Sequence, residues 1–202
     1  MSSDGNNSNV FHIGMVGGGV VGGGVYDLIM NRLSSKNMVI TKICVRDVHK
    51  ARSFEINEDK TVVIGDVQEI LKDDSIDCVV EVMGGVGLAK TVVLESLKNG
   101  KHVVTANKAL IAENLEELHA VAKESGKSFA FEAAVCGGIP IISTLQSSYA
   151  GDIINEVMGI CNGTTNYMLG KMECGADYLD VLKEAQDLGY AEVGLCTFNI
   201  QC

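Results

Sequence analysis

The sequence predicts an α/β fold, a doubly wound parallel sheet, followed by the start of an incomplete α+β domain. Three observations carry this prediction. Short apolar runs alternate with longer stretches whose apolar residues recur at helical spacing. The apolar runs are continuous, as in strands buried on both faces, instead of alternating with polar residues. A glycine-rich turn joins the first run to the first helical stretch.

Taken in order, residues 1–9 form a polar leader, expected to be mobile at a chain terminus. Residues 10–16 (VFHIGMV) read as a buried strand. Residues 20–33 carry Val21, Val25, Leu28, Ile29 and Leu33, an apolar stripe at helical spacing. Residues 38–45 read as a second strand and 46–59 as a polar loop with helical pieces. Strands are then expected at 61–64, 76–83, 102–105 and 128–133, and helices at 66–72, 86–97 and 109–125. Asp66 caps the first of these helices, and Asn99-Gly100 follows the second. Beyond the single proline, Pro140, the texture changes. Residues 141–149 read as helix, 153–161 as strand, 163–171 without clear assignment, and 176–188 as a helix with Tyr178, Leu179, Leu182, Ala185 and Leu188 on one side. The expected organisation is a leader at 1–9, a nucleotide-binding domain at 10–150, the beginning of a second domain at 151–192 and a divergent tail at 193–202.

Composition narrows the function. The 202 residues are 47% hydrophobic, enough for a packed core. Sixteen Lys and Arg against 26 Asp and Glu give a net charge of −10, the wrong sign for a nucleic-acid binder. No apolar stretch approaches the ~18 residues of a membrane span. Residues 1–9 lack the features of a secretory signal, and seven scattered cysteines fit a reduced, cytoplasmic protein. Neither the cysteines nor the four histidines show zinc-ligand spacing.

Seven of the eleven residues from 14 to 24 are glycine. Gly17, Gly19 and Gly22 form G-x-G-x-x-G between a strand and a helix, the arrangement of a Rossmann-type dinucleotide site. The first glycine permits a tight turn, the second lets a pyrophosphate approach the backbone, and the third lets helix and strand pack closely. Free N–H groups and the helix dipole then hold the phosphates. A flexible turn without ligand is the alternative, and Gly18, Gly23 and Gly24 suit it. The second strand ends in Arg46-Asp47. An acid there suits the ribose of NAD and an arginine the 2′-phosphate of NADP, so either cofactor is open, with Arg46 favouring NADP. A solvated surface pair is the other reading of these two residues.

Further motifs sit at the expected strand ends: EVMGG at 81–85, VVTANKAL at 103–110, FEAAVCGGIP at 131–140, GICNGTTNYML at 159–169 and AQDLGYAE at 185–192. This series resembles the homoserine dehydrogenase family, over residues ~10–192 and in the family's order, and no kinase-like region precedes it. The resemblance implies NAD(P)-dependent interconversion of L-homoserine and L-aspartate 4-semialdehyde, in the route to threonine, isoleucine and methionine. It implies that Gly17, Gly19, Val20, Val21 and Gly22 cradle the dinucleotide phosphates. Gly84, Gly85 and Gly189 would border the cofactor, and Glu192 would hold the substrate amine. Lys108 matches the family's lysine near nicotinamide and substrate. An isolated lysine would be assigned to the surface, but one just after a parallel strand can polarise a carbonyl or assist proton transfer. Glu132 and the carbonyls of Val135, Gly137 and Ile139 match a sodium site, whose oxygen ligands suit a hard cation. Cys136 and Cys161 read as small core residues, since no base is evident beside them. The family is homodimeric by the same resemblance.

The family continues after Glu192 with an acidic D-P segment and a D-x-x-x-K motif that supply a catalytic Asp and a proton-donating Lys. Residues 193–202 (VGLCTFNIQC) match neither. The expectation is therefore weak activity for this chain. A non-catalytic cofactor-binding or subunit-interaction fragment remains as an alternative, and a different dehydrogenase is disfavoured by the NGTTNY segment.

Overall fold

The computed structural model describes residues 10–160, 162–188 and 190, and the chain divides into two units, Met1–Ser143 and Thr144–Cys202. The first unit is built on β1 (Phe11–Val16), α1 (Val20–Asp27), β2 (Met38–Cys44), β3 (Val62–Ile64), α2 (Gln68–Leu71), β4 (Cys78–Glu81), α3 (Gly87–Lys98), β5 (His102–Thr105), α4 (Lys108–Ser125) and β6 (Phe129–Ala130). All six strands are parallel and lie in the order β3-β2-β1-β4-β5-β6. The order reverses between β1 and β4. In an open α/β sheet that reversal leaves a crevice at the carboxyl edge, where ligands bind.

Period-2 geometry explains the continuous apolar strands. Ile13 and Met15 of β1 pack with Tyr26, Ile29, Ile40, Ile43, Cys78 and Val80 on the α1 face. Val16, Val79 and Val103 point the other way, into the layer formed with Val92, Val93, Leu97, Leu110 and Leu118 of α3 and α4. Each of these side chains contributes roughly 1.5–3 kcal/mol when fully buried. Gly14 belongs to the second face, because a Cβ there would stand 2.6 Å from Ile70 Cγ2. Helix α1 continues through a wider turn at Leu28–Arg32. Helix α4 is capped by Asn107, whose Oδ1 accepts from Leu110 N at 3.1 Å, and ends at Gly126 in a left-handed conformation.

Several elements are shorter than expected. The 46–59 segment contains turns but no helix, because its contacts are local Asx-type bonds such as His49 N to Asp47 Oδ1 and Asp59 N to Asn57 Oδ1. The 66–72 helix shrinks to Gln68–Leu71 with Val67 at its N-cap, and Asp66 Oδ1 just before it accepts from Gln68 N at 2.9 Å. The last strand keeps only Phe129–Ala130. Glu132–Ala134 then turns as a 3₁₀ segment, since β6 is an edge strand with β5 as its one neighbour.

In the second unit, α5 (Gly163–Glu173) and α6 (Tyr178–Asp187) pack through Met168, Val181, Leu182 and Ala185. Asn162 caps α5, resolving the unassigned 163–171 stretch as helix, and Asp177 caps α6. The 141–149 helix reduces to a single wide turn at Thr144–Ser148. The strand expected at 153–161 is not formed over residues 153–160. A strand exists only where a neighbouring strand completes its ladder, and residues 153–160 belong to no sheet ladder. Its apolar side chains lie open, Ile153 at 88% and Met158 at 83% exposure. Among the described residues no helix is long and apolar enough to cross a membrane.

Candidate functional site

The carboxyl ends of β1, β2, β4, β5 and β6 all face one edge of the sheet, because the strands are parallel. That edge gathers most of the residues singled out in the sequence. Gly17 follows β1 and extends its ladder by donating to Cys44 O at 3.0 Å. Its φ is +115°, and a Cβ would lie 2.5 Å from Val82 O, so only glycine fits the crossing of these two chains. Gly22, in the first turn of α1, is closed in the same way: a Cβ would lie 2.5 Å from Gly17 O. Gly19 is different. It is the N-cap of α1, in an extended conformation, and a Cβ there would meet nothing within 4 Å. The three glycines thus divide into two that pack backbone on backbone and one that leaves open space at a helix N-terminus. Val20 and Val21 flank that space, exposed at 89% and 55%. The cradle suits an anionic diphosphate, which needs room for close approach and unpaired N–H donors at the helix start.

Arg46, two residues beyond β2, is exposed and has no ion-pair partner among the described residues. The loop behind it is held by Arg52, a residue the sequence did not mark. Its guanidinium donates to the carbonyls of Lys50 at 2.9 Å and Asp47 at 3.0 Å.

Beyond β4, Gly84 and Gly85 are exposed and both take positive φ, 76° and 73°. Beyond β5, Lys108 opens α4 with its side chain exposed. Between them runs a buried polar chain that was not legible in the sequence. Glu81, the last residue of β4, is fully buried. Its Oε1 accepts from Met83 N at 2.9 Å and its Oε2 from the Thr105 hydroxyl at 2.6 Å. Thr105 Oγ1 in turn accepts from Asn107 N at 3.0 Å, and Asn107 Nδ2 donates to Gly85 O at 2.5 Å. The one signal in the sequence was a carboxylate ending an otherwise apolar strand, in CVVE.

Glu132, just past β6, clasps the following turn: Oε1 accepts from Ile142 N at 2.9 Å and Oε2 from Ser143 N at 2.8 Å. These backbone N–H bonds, Ser143 foremost, hold its carboxyl below its ordinary range. The Ser143 side chain and the Ile141 backbone add further hydrogen bonds to the same carboxylate. Val135 is half-buried, Gly137 and Ile139 are exposed, and Ile139 O already accepts from Ile141 N at 2.9 Å. Among the described residues no group of three His, Cys, Asp or Glu side chains could hold a metal; a sodium site here would depend on backbone carbonyls. Cys136 is half-buried with φ of 55°, so it serves a strained turn more than the core. Gly189, Glu192 and Cys161 lie outside the described residues.

A family model described as "Homoserine dehydrogenase, NAD binding domain" matches residues 17–132, and one described as "Homoserine dehydrogenase" matches 140–194. The homoserine dehydrogenase of Bacillus subtilis (strain 168) is 43% identical over 187 residues, 89% of this chain and 43% of that protein. The crystal structure of a homoserine dehydrogenase from Thiobacillus denitrificans superposes with a TM-score of 0.80 at 40% identity, covering 91% of this chain and 43% of the other. A hyperthermophilic archaeal homoserine dehydrogenase in complex with NADPH superposes at 0.76 with 25% identity, covering 91% and 63%. The chain spans less than half the length of the curated relatives it matches.

Proposed function

The chain belongs to the homoserine dehydrogenase family, and from that premise we propose that it binds NADP or NAD across the β1/β4 crevice. Its proposed reaction is the reversible reduction of L-aspartate 4-semialdehyde to L-homoserine, in the cytoplasm. The observation that carries the proposal is the division of labour among the three glycines: Gly17 and Gly22 closed by backbone, Gly19 open at a helix start. The bound cofactor supplies the hydride. The chain's own groups then have separate tasks. N–H donors at Gly19, Val20 and Val21 hold the diphosphate. Arg46 takes the 2′-phosphate of NADP through charge-assisted bonds, a reading supported by the NADPH complex of the archaeal relative. Gly84 and Gly85 present a bare backbone to the nicotinamide side. Lys108, at the adjacent strand end, places an ammonium where developing charge on the aldehyde oxygen needs it. Gly189 borders the cofactor and Glu192 holds the substrate amine.

The sodium site at Glu132 is part of the same proposal, with its carboxylate and the carbonyls of Val135, Gly137 and Ile139 as ligands. These are all hard oxygen donors.

Calorimetric titration of the 202-residue chain with NADPH and NADH, alongside aldehyde-dependent oxidation of NADPH, tests the reading. Binding with turnover supports it in full. Binding without turnover favours a cofactor-binding fragment that acts through a partner, and absence of dinucleotide binding defeats it.

A further inference from the structure

We propose that Glu81 and Asn107 are positioning residues for the nicotinamide half of the cofactor, acting through the loop Val82–Gly85 and the start of α4. The inference rests on the dinucleotide reading above and adds a task for residues to which no role has been given.

Gly84 and Gly85 both take positive φ, and added Cβ atoms would meet nothing within 4 Å. Val82 and Met83 pack against the two cores, but packing does not hold the glycine tip of the turn. Polar contacts do. Glu81 draws Met83 N back onto the end of β4, and Asn107 fixes Gly85 O from the other side. Thr105 joins the two by donating to Glu81 and accepting from Asn107 N, so the ring closes through the ends of two neighbouring strands. The same Asn107 side chain caps α4 through its other atom, Oδ1, and so sets the direction in which Lys108 leaves the sheet.

A fully buried carboxylate with no cation beside it among the described residues is expensive, and an apolar residue on that face of β4 would extend the core already formed by Val79. The carboxylate persists here because both oxygens are occupied, and what it secures is the approach to the Gly84-Gly85 tip, which packing leaves loose. Among the described residues the glycine loop after β1 makes no hydrogen bond to the side chains of this ring. Gly17 and Gly22 are thus closed by backbone packing, which reaches as far as Val82 and Met83, and the Gly84-Gly85 tip beyond them is held by the polar ring.

Asn107→Ser separates the two functions of the asparagine. Serine keeps an N-cap acceptor for α4 but cannot reach Gly85 O. Glu81→Gln is the second variant: it keeps an acceptor for Met83 N and turns a donor toward Thr105. Each full chain is titrated with NADPH and with 2′-phospho-ADP-ribose, which retains the adenosine and diphosphate but lacks the nicotinamide. Nicotinamide fluorescence reports ring seating. The expected result is that 2′-phospho-ADP-ribose binds within about twofold of the parent in both variants. NADPH affinity falls by about tenfold, as loss of one buried hydrogen bond implies, and the fluorescence change on binding shrinks. Equal losses for both ligands would mean a general structural role, and unchanged NADPH binding would mean that the ring orders nothing the cofactor uses. Either overturns the proposal. Failure of the parent chain to bind either ligand overturns the cofactor reading itself, which is a distinct result.

Discussion

Substituting alanine at Gly19 and at Gly22 separates what the glycine loop does for the fold from what it does for a ligand. At Gly19 the backbone is at φ −85°, which alanine adopts freely, and the new Cβ meets nothing within 4 Å. Exchanging glycine for alanine at an N-cap costs about 0.5 kcal/mol. Gly19→Ala should therefore unfold in guanidinium almost as the parent does. The same methyl group occupies the space through which a diphosphate must approach the first N–H groups of α1. Losing one or two charge-assisted bonds costs about 1.5–3 kcal/mol, or roughly 10- to 150-fold in affinity. At Gly22 the methyl would stand 2.5 Å from Gly17 O. The obstacle is backbone, so α1 must move away from β1, with a loss of about 1–3 kcal/mol in the manner of an overpacked core. The paired assay is guanidinium unfolding and NADPH fluorescence titration. If Gly19→Ala is stably folded and binds NADPH as tightly as the parent, the diphosphate does not sit where the open glycine points, and the reasoning fails.

Three further outcomes follow from particular side chains. Arg46→Ala should weaken NADPH by about tenfold or more while leaving NADH unchanged; equal effects on both would remove Arg46 from cofactor discrimination. Lys42, 2.8 Å away, and the Ser75 hydroxyl hold the Asp73 carboxyl well below the usual carboxylate range. A folded pKa below the unfolded one gives stability that is complete above about pH 4 and is lost as pH falls from there through the folded value. Asp73→Asn should thus cost about 1 kcal/mol at neutral pH and flatten the acid limb of the stability curve; an unchanged limb in urea melts at a series of pH values would contradict this. Glu132, lowered by the Ser143 and Ile142 N–H groups, releases its clasp on the following turn in the same acid direction. The thermal midpoint of the parent should rise more in sodium than in equimolar potassium chloride, and Glu132→Gln should abolish that difference.

Much of the first unit was legible from local pattern. Strand–helix alternation, continuous apolar strands and the glycine spacing depend on neighbours in sequence, and the six-stranded parallel order realises them. What escaped was non-local. The ring from Glu81 through Thr105 and Asn107 to Gly85 joins residues 24, 2 and 22 positions apart, which no periodicity reports. Arg52 was hidden because its partners are carbonyls, which carry no sequence signature. Helix α5 was obscured by the poor helix formers Gly163, Thr164 and Thr165 in its first turn, although Asn162 stood at the cap. The apolar run at 153–160 has strand composition, but composition does not supply a ladder partner.

The central claim is that a dinucleotide lies across the carboxyl edge, between the glycine loop after β1 and the ends of β4 and β5. Backbone amide shifts of the labelled chain on addition of NADPH test it residue by residue. The account predicts saturable shifts at Gly17–Gly22, Gly84, Gly85 and Lys108, with Asp73, Ile76 and Lys101 at the opposite edge unmoved. Shifts confined to that opposite edge, or to residues 163–187, would contradict it.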